Sequence, residues 1–171
     1  MPLLPANRKT MDSLLRELSF LKTEIKEIER EITTYDTPQE KEIIENLQTV
    51  PGVGPVVSAT FYREIFRPNR FPRGEEIGRY LGLAPVPRQS GESKSRPRCI
   101  PSGQNVLRGI LVQAAWRWRS TDAWASQYYS RVLSHCGLAQ KAITALARKL
   151  ALVLWRISIE NRPYYPGCIA A

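Results

Sequence analysis

Histidine is almost missing from this chain: His135 is the only one in 171 residues. A site built from several imidazole ligands is thereby excluded. Cysteine is scarce too, with Cys99, Cys136 and Cys168 odd in number and widely spaced. They suit neither a disulfide framework nor a zinc site. His135 and Cys136 are neighbours, but consecutive helical residues point about 100° apart, which favours a helix-end histidine beside Gly137 over a nucleophile–base pair. No run approaches the ~20 apolar residues that cross a bilayer. The opening Met1-Pro2-Leu3-Leu4-Pro5-Ala6 is too short and proline-broken for a secretory signal. A soluble, cytoplasmic protein with no membrane partner is expected. Carboxylates are sparse after Val50, where only Glu64, Glu75, Glu76, Glu92, Asp122 and Glu160 occur, without paired spacing. Two-metal phosphoryl transfer needs several converging carboxylates, so no metal site and no cofactor is expected within this chain.

Positive charge, by contrast, is abundant and unevenly placed. Residues 1–50 carry 7 Lys/Arg and 10 Asp/Glu, a net −3, whereas residues 51–171 carry 18 and 6, a net +12. Most of that excess is arginine, whose planar fork pairs bidentately with phosphate. A polyanionic partner follows, with nucleic acid preferred over a membrane surface. Hydrophobic residues form 43% of the chain, enough for a buried core.

Leu14, Leu18, Leu21, Ile25, Ile28 and Ile32 are spaced 4, 3, 4, 3 and 4 apart, with charged residues between them. That is an a/d seam, predicting a coiled-coil helix over about Thr10 to Thr33 that must pair with another copy, another chain or an adjacent helix. Thr37-Pro38 ends it. A second helix is expected from Gln39 to Thr49, followed by Val50-Pro51-Gly52-Val53-Gly54-Pro55 and a third helix beginning near Val56. Helix, Pro-Gly-Val-Gly turn and helix make the pattern of a helix-hairpin-helix over 43–62. Free N–H groups of Gly52, Val53 and Gly54, at a positive helix end, would hold a phosphate oxygen without reading sequence. A tight turn that merely packs two helices is the plainer alternative.

A short helix is expected over Glu75 to Leu83. From Val86 to Pro101 all apolar periodicity stops, and a polar, basic loop is predicted. It offers Ser90, Ser93 and Ser95 beside Arg88, Lys94, Arg96 and Arg98. A serine attacking a phosphodiester needs cations on the non-bridging oxygens and an acceptor for its proton. The arginines meet the first need; no base is evident. Three amphipathic helices follow, Gln104 to Arg119, Asp122 to Cys136 and Leu138 to about Glu160, with Thr121 and Ser102-Gly103 as plausible starts and Gly137 as a stop. Trp116, Trp118, Trp124, Tyr128, Tyr129 and Trp155 lie at helical spacing, favouring core packing over base stacking. The expected fold is all-α: a coiled-coil helix and linker (1–38), then a helical domain (39–171) holding the helix-hairpin-helix, the polar loop (86–101) and a bundle (102–162).

The order of these features resembles the C-terminal transposase domain of the IS-one-ten family of insertion-sequence transposases. The resemblance is carried by the coiled-coil helix, Val50 to Pro55, Arg70-Phe71-Pro72, and Gly78-Arg79-Tyr80-Leu81-Gly82-Leu83-Ala84-Pro85. It continues through Arg88-Gln89-Ser90-Gly91, Ser102-Gly103-Gln104-Asn105-Val106-Leu107-Arg108, and Val112-Gln113-Ala114-Ala115-Trp116. The resemblance implies a recombinase directed by a structured guide RNA, built from an RNase-H-like domain with an acidic Mg site, a coiled coil for assembly, and this domain. It implies that Ser90 is the nucleophile that attacks DNA. Expected DNA contacts are Gly52, Val53, Gly54, Arg88, Lys94, Arg96, Arg98 and Arg108. The RNase-H-like half is not among these residues, which implies a fragment inactive alone. Pro101-Ser102-Gly103-Gln104-Asn105 also departs from the family's lysine and adjacent Gly-Asn, removing one basic contact. The competing expectation is a non-enzymatic helix-hairpin-helix module that binds DNA or RNA and dimerises through its coiled coil. A homo-oligomer, or assembly with full-length transposase, is expected of the chain.

Overall fold

The computed structural model describes residues 5–34, 36–65, 70–86, 89–90, 93–94, 98–99 and 105–165. Seven helices dominate these residues: α1 (Pro5–Thr34), α2 (Pro38–Gln48), α3 (Pro55–Ile65), α4 (Gly74–Tyr80), α5 (Asn105–Thr121), α6 (Ala123–Cys136) and α7 (Ala139–Glu160). The chain divides into two compact units, residues 1–41 and 42–171. No helix among the described residues is long and apolar enough to cross a membrane.

In the first unit α1 is one continuous helix. Leu14, Leu18, Leu21, Ile25 and Ile28 are all exposed, between 48% and 56%, so the seam is uncovered. Residue Thr37 caps α2. The Thr37 N–H donates to a Glu40 carboxylate oxygen at 2.7 Å, and the Glu40 N–H donates to the Thr37 hydroxyl at 3.3 Å. This reciprocal pair, with Pro38 at the first helical position, starts the helix where proline was expected only to end the preceding one.

The second unit is organised around α7. Leu146, Leu150, Leu154 and Ile157 repeat on a helical period and are buried, with Ala142, Ala147 and Ala151 filling the intervening positions. Small residues on that stripe let neighbours approach closely, and α7 packs against α3, α4, α5 and α6. The most completely buried large side chains include Trp118 of α5 and Phe61 of α3. The α6 N-cap is Asp122, not Thr121: its carboxylate accepts the Ala125 N–H at 2.9 Å. It ends at Gly137, which takes the left-handed conformation (φ 67) and donates to the Leu133 carbonyl, as the sequence led us to expect. Exposed His135 stands in that last turn, while the Cys136 thiol donates to the Leu138 carbonyl at 3.4 Å.

One segment differs from expectation. The stretch read as a polar loop contains four two-residue strands, β1 (Pro85–Val86), β2 (Gln89–Ser90), β3 (Ser93–Lys94) and β4 (Arg98–Cys99). They pair antiparallel as β1 with β4 and β2 with β3, one ladder nested within the other. Strands this short show no alternation, so periodicity had no signal to find.

Candidate nucleic-acid interface

The turn between α2 and α3 and the nested ladder carry most of the expected contacts. In the turn, the α2 end is stapled by Thr49 and Val50 N–H groups donating to Asn46 and Leu47 carbonyls. The three N–H groups expected to face a phosphate are not equivalent. That of Val53 donates to the Val50 carbonyl at 3.0 Å, and Val53 itself is buried. It is committed inward. Gly52 has φ +90, a conformation side chains disfavour, and a Cβ there would lie 2.8 Å from the Trp118 backbone nitrogen of α5. Its glycine is required by helix packing, whatever else it contacts. Gly54 differs from both: a Cβ there would meet nothing within 4 Å. Its carbonyl accepts the Ser58 N–H at 3.0 Å, placing it at the N-cap of α3. The open space and positive helix end therefore belong to Gly54.

Ser90 stands in β2, in register opposite Ser93, and Gln89 is opposite Lys94. Arg98 of β4 is opposite Val86. Arg88 and Arg96 lie outside the described residues. Arg108 is half-buried on the first turns of α5. The register thus brings Lys94 within one position of the Ser90–Ser93 pair, while Arg98 belongs to the other ladder.

Several arginines of the basic half are held by aromatic rings. The Arg119 guanidinium lies 4.0 Å from the Tyr129 ring centre and 5.4 Å from that of Trp116. Arg70 lies 4.6 Å from the Tyr80 ring and Arg131 5.5 Å from that of Tyr128. Part of the arginine excess therefore braces the fold through cation–π contact. The aromatic residues themselves divide. Trp118 and Tyr129 are buried, Trp124, Tyr128 and Trp155 are half-buried against the core, and Trp116 is 42% exposed.

Sequence reasoning missed a second basic feature. A cleft of about 360 Å³ between α4 and α7 is lined by Arg79, Arg148 and Lys149, with Gly78, Pro85 and Leu152. Glu75 also lines it. Arg79 is nearly seventy positions from Arg148 in sequence, so no local motif could announce the cluster. Only the α4–α7 packing brings them together.

The described residues do not assemble a carboxylate site that fits a Mg ion. Among them no group of three or more His, Cys, Asp or Glu converges. Asp122 is engaged by the α6 N-terminus and by the Tyr164 hydroxyl at 2.9 Å, and Glu160 pairs with Arg156 at 3.1 Å.

Comparison with known proteins gives the frame for this geometry. Residues 44–130, which enclose the turn and the nested ladder, match the model of the Transposase IS116/IS110/IS902 family. The chain is 29% identical to an insertion element IS116 protein of Streptomyces clavuligerus, over 93% of this chain and 39% of that protein. It is 28% identical to a probable family 20 transposase of Pseudomonas aeruginosa, over 92% of this chain and 48% of that one. It is 24% identical to the transposase for insertion sequence element IS1111A of Coxiella burnetii, over 96% and 46% respectively. The chain spans less than half the length of each of these three relatives. With the match covering half of the chain, the protein belongs to the IS116/IS110/IS902 family of insertion-sequence transposases.

Proposed function

We propose that this chain is the DNA-binding C-terminal part of an insertion-sequence transposase, taking part in transposition through Ser90 as nucleophile. The observation that carries the reading is the family match over 44–130, which spans both the α2–α3 turn and the ladder with Ser90 in β2. In this reading α2, the turn and α3 act as a helix-hairpin-helix, with Gly54 toward a backbone phosphate. The Ser90 hydroxyl attacks a DNA phosphorus, its proton passes to a base, and the displaced deoxyribose oxygen leaves as a hydroxyl after taking up a proton. A phosphoserine link then holds the strand. Lys94, Arg98, Arg88 and Arg96 neutralise the non-bridging oxygens.

The uncovered α1 seam supports assembly with a second copy or with full-length transposase. A structured guide RNA is the further nucleic acid this reading assigns to the family. In this reading a Mg ion would be held by the RNase-H-like part of such proteins.

The test supplies the chain with the RNase-H-like portion of a family member, Mg and insertion-sequence-end DNA. A covalent protein–DNA adduct should form, and Ser90→Ala should abolish it while leaving DNA binding intact. An adduct that persists in Ser90→Ala removes Ser90 from the chemistry. If no adduct forms under any pairing while DNA binding remains, the non-enzymatic helix-hairpin-helix module takes its place.

A further inference from the structure

The α4–α7 cleft gathers three cations from two helices. Arg148 and Lys149 come from α7 and are half-buried, while Arg79 comes from α4 and is exposed. Glu75 is the single carboxylate in the lining, leaving a surplus of two positive charges. Among the described residues none of the three cations has a carboxylate partner. This contrasts with Arg70, Arg119 and Arg131, which rest on aromatic rings.

The cleft is also shaped by its glycine. A Cβ at Gly78 would lie 3.2 Å from Cγ and Cδ of Arg148, so the bare backbone lets the arginine stem lie across α4. A stem packed in this way limits the guanidinium's freedom before any ligand arrives, which lowers the entropy cost of binding. Three like-charged groups held together beside a single carboxylate repel one another, and an anion relieves that repulsion. The cleft volume is at the low end of the roughly 300–1,000 Å³ of ligand clefts. It has room for a stretch of backbone but not for a duplex cross-section.

Its position completes the argument. Pro85, which lines the cleft, is the first residue of β1, and Ser90 follows five residues later. We propose that Arg79, Arg148 and Lys149 bind a phosphodiester of the DNA strand next to the one presented to the Ser90 ladder. The inference rests on the DNA-binding reading above and adds a second anchor, separate from the α2–α3 turn. Arginine forks suit the non-bridging oxygens bidentately, and the site carries no sequence information.

The test measures binding of a short labelled DNA duplex across a salt series, for the full chain and four variants. These are Arg79→Gln, the double substitution Arg148→Gln/Lys149→Gln, the charge-conserving Lys149→Arg, and Arg162→Gln, which removes an exposed charge outside the cleft. Leaving one phosphate un-neutralised should flatten the log–log slope by about 0.9. Both cleft variants should flatten it by about that amount beyond Arg162→Gln, and Lys149→Arg should keep the full slope. Arg79 is exposed, so its variant reports on binding even if the double substitution perturbs folding. If neither cleft variant exceeds Arg162→Gln while the unaltered chain keeps a steep slope, the cleft is not an anchor and the DNA-binding reading survives. If the unaltered chain has no salt-dependent affinity, both fall.

Discussion

Gly52 and Trp118 meet backbone to backbone: a Cβ on Gly52 would stand 2.8 Å from the Trp118 nitrogen and 3.1 Å from the Ala114 carbonyl oxygen. Sixty-six residues apart in sequence, they lock the α2–α3 turn onto α5. Gly52→Ala should therefore act on stability first. The left-handed φ costs a side chain about 1–2 kcal/mol and overpacking about 1–3 more, so a total loss of about 2–5 kcal/mol is expected. Thermal unfolding checks it, and an unchanged midpoint would contradict the packing role.

Gly54 makes the opposite prediction. It has open space and stands at the α3 N-cap, where aspartate is preferred. Gly54→Asp should hold or slightly raise the melting temperature, because its carboxylate satisfies helix N–H groups. The same carboxylate would occupy the positive helix end and repel phosphate. DNA affinity should drop several-fold, as measured by anisotropy. A variant with full affinity would take the turn out of the interface.

Tyr164 ties three segments together. Its N–H donates to the Thr49 hydroxyl at 2.7 Å, and its own hydroxyl donates to Asp122 at 2.9 Å. Hydrogen bonds to charged groups contribute about 1.5–3 kcal/mol, and the half-buried setting points to the lower end for Tyr164→Phe. Asp122→Ala should cost a further ~1 kcal/mol because it also removes the α6 cap. The double variant should be less destabilised than the sum, by ~0.5 kcal/mol or more. Strict additivity in denaturant unfolding would mean the two groups do not interact.

The α1 seam gives a prediction about mass. With Leu18 and Leu21 exposed at 48% and 55%, Leu18→Glu/Leu21→Glu should convert an associating chain to a monomer. Sedimentation equilibrium reads this directly. Equal masses for both chains would separate the seam from assembly.

Much of the architecture was legible because its determinants are local. The Leu/Ile repeat of α1, the Pro-Gly-Val-Gly-Pro turn and Gly137 are read within a few residues of where they act. One local signal was overlooked: Thr37 and Glu40 have the capping-box spacing. Asp122 displaced Thr121 as the α6 cap for a tertiary reason as well, since its second oxygen accepts from Tyr164.

The sequence by itself determined an all-α chain, a strongly basic stretch after Val50, and the motif order that marks the family, because helix periodicity, charge and motif order are properties of the chain as written. Only the tertiary structure decided which of those groups remain available. Packing turned Val53's N–H inward, spent Gly52 on contact with α5, and set arginines on aromatic rings. It also brought Arg79 to Arg148 and Lys149. Availability depends on what lies across the space from a group, and residues far apart in sequence supply that neighbour.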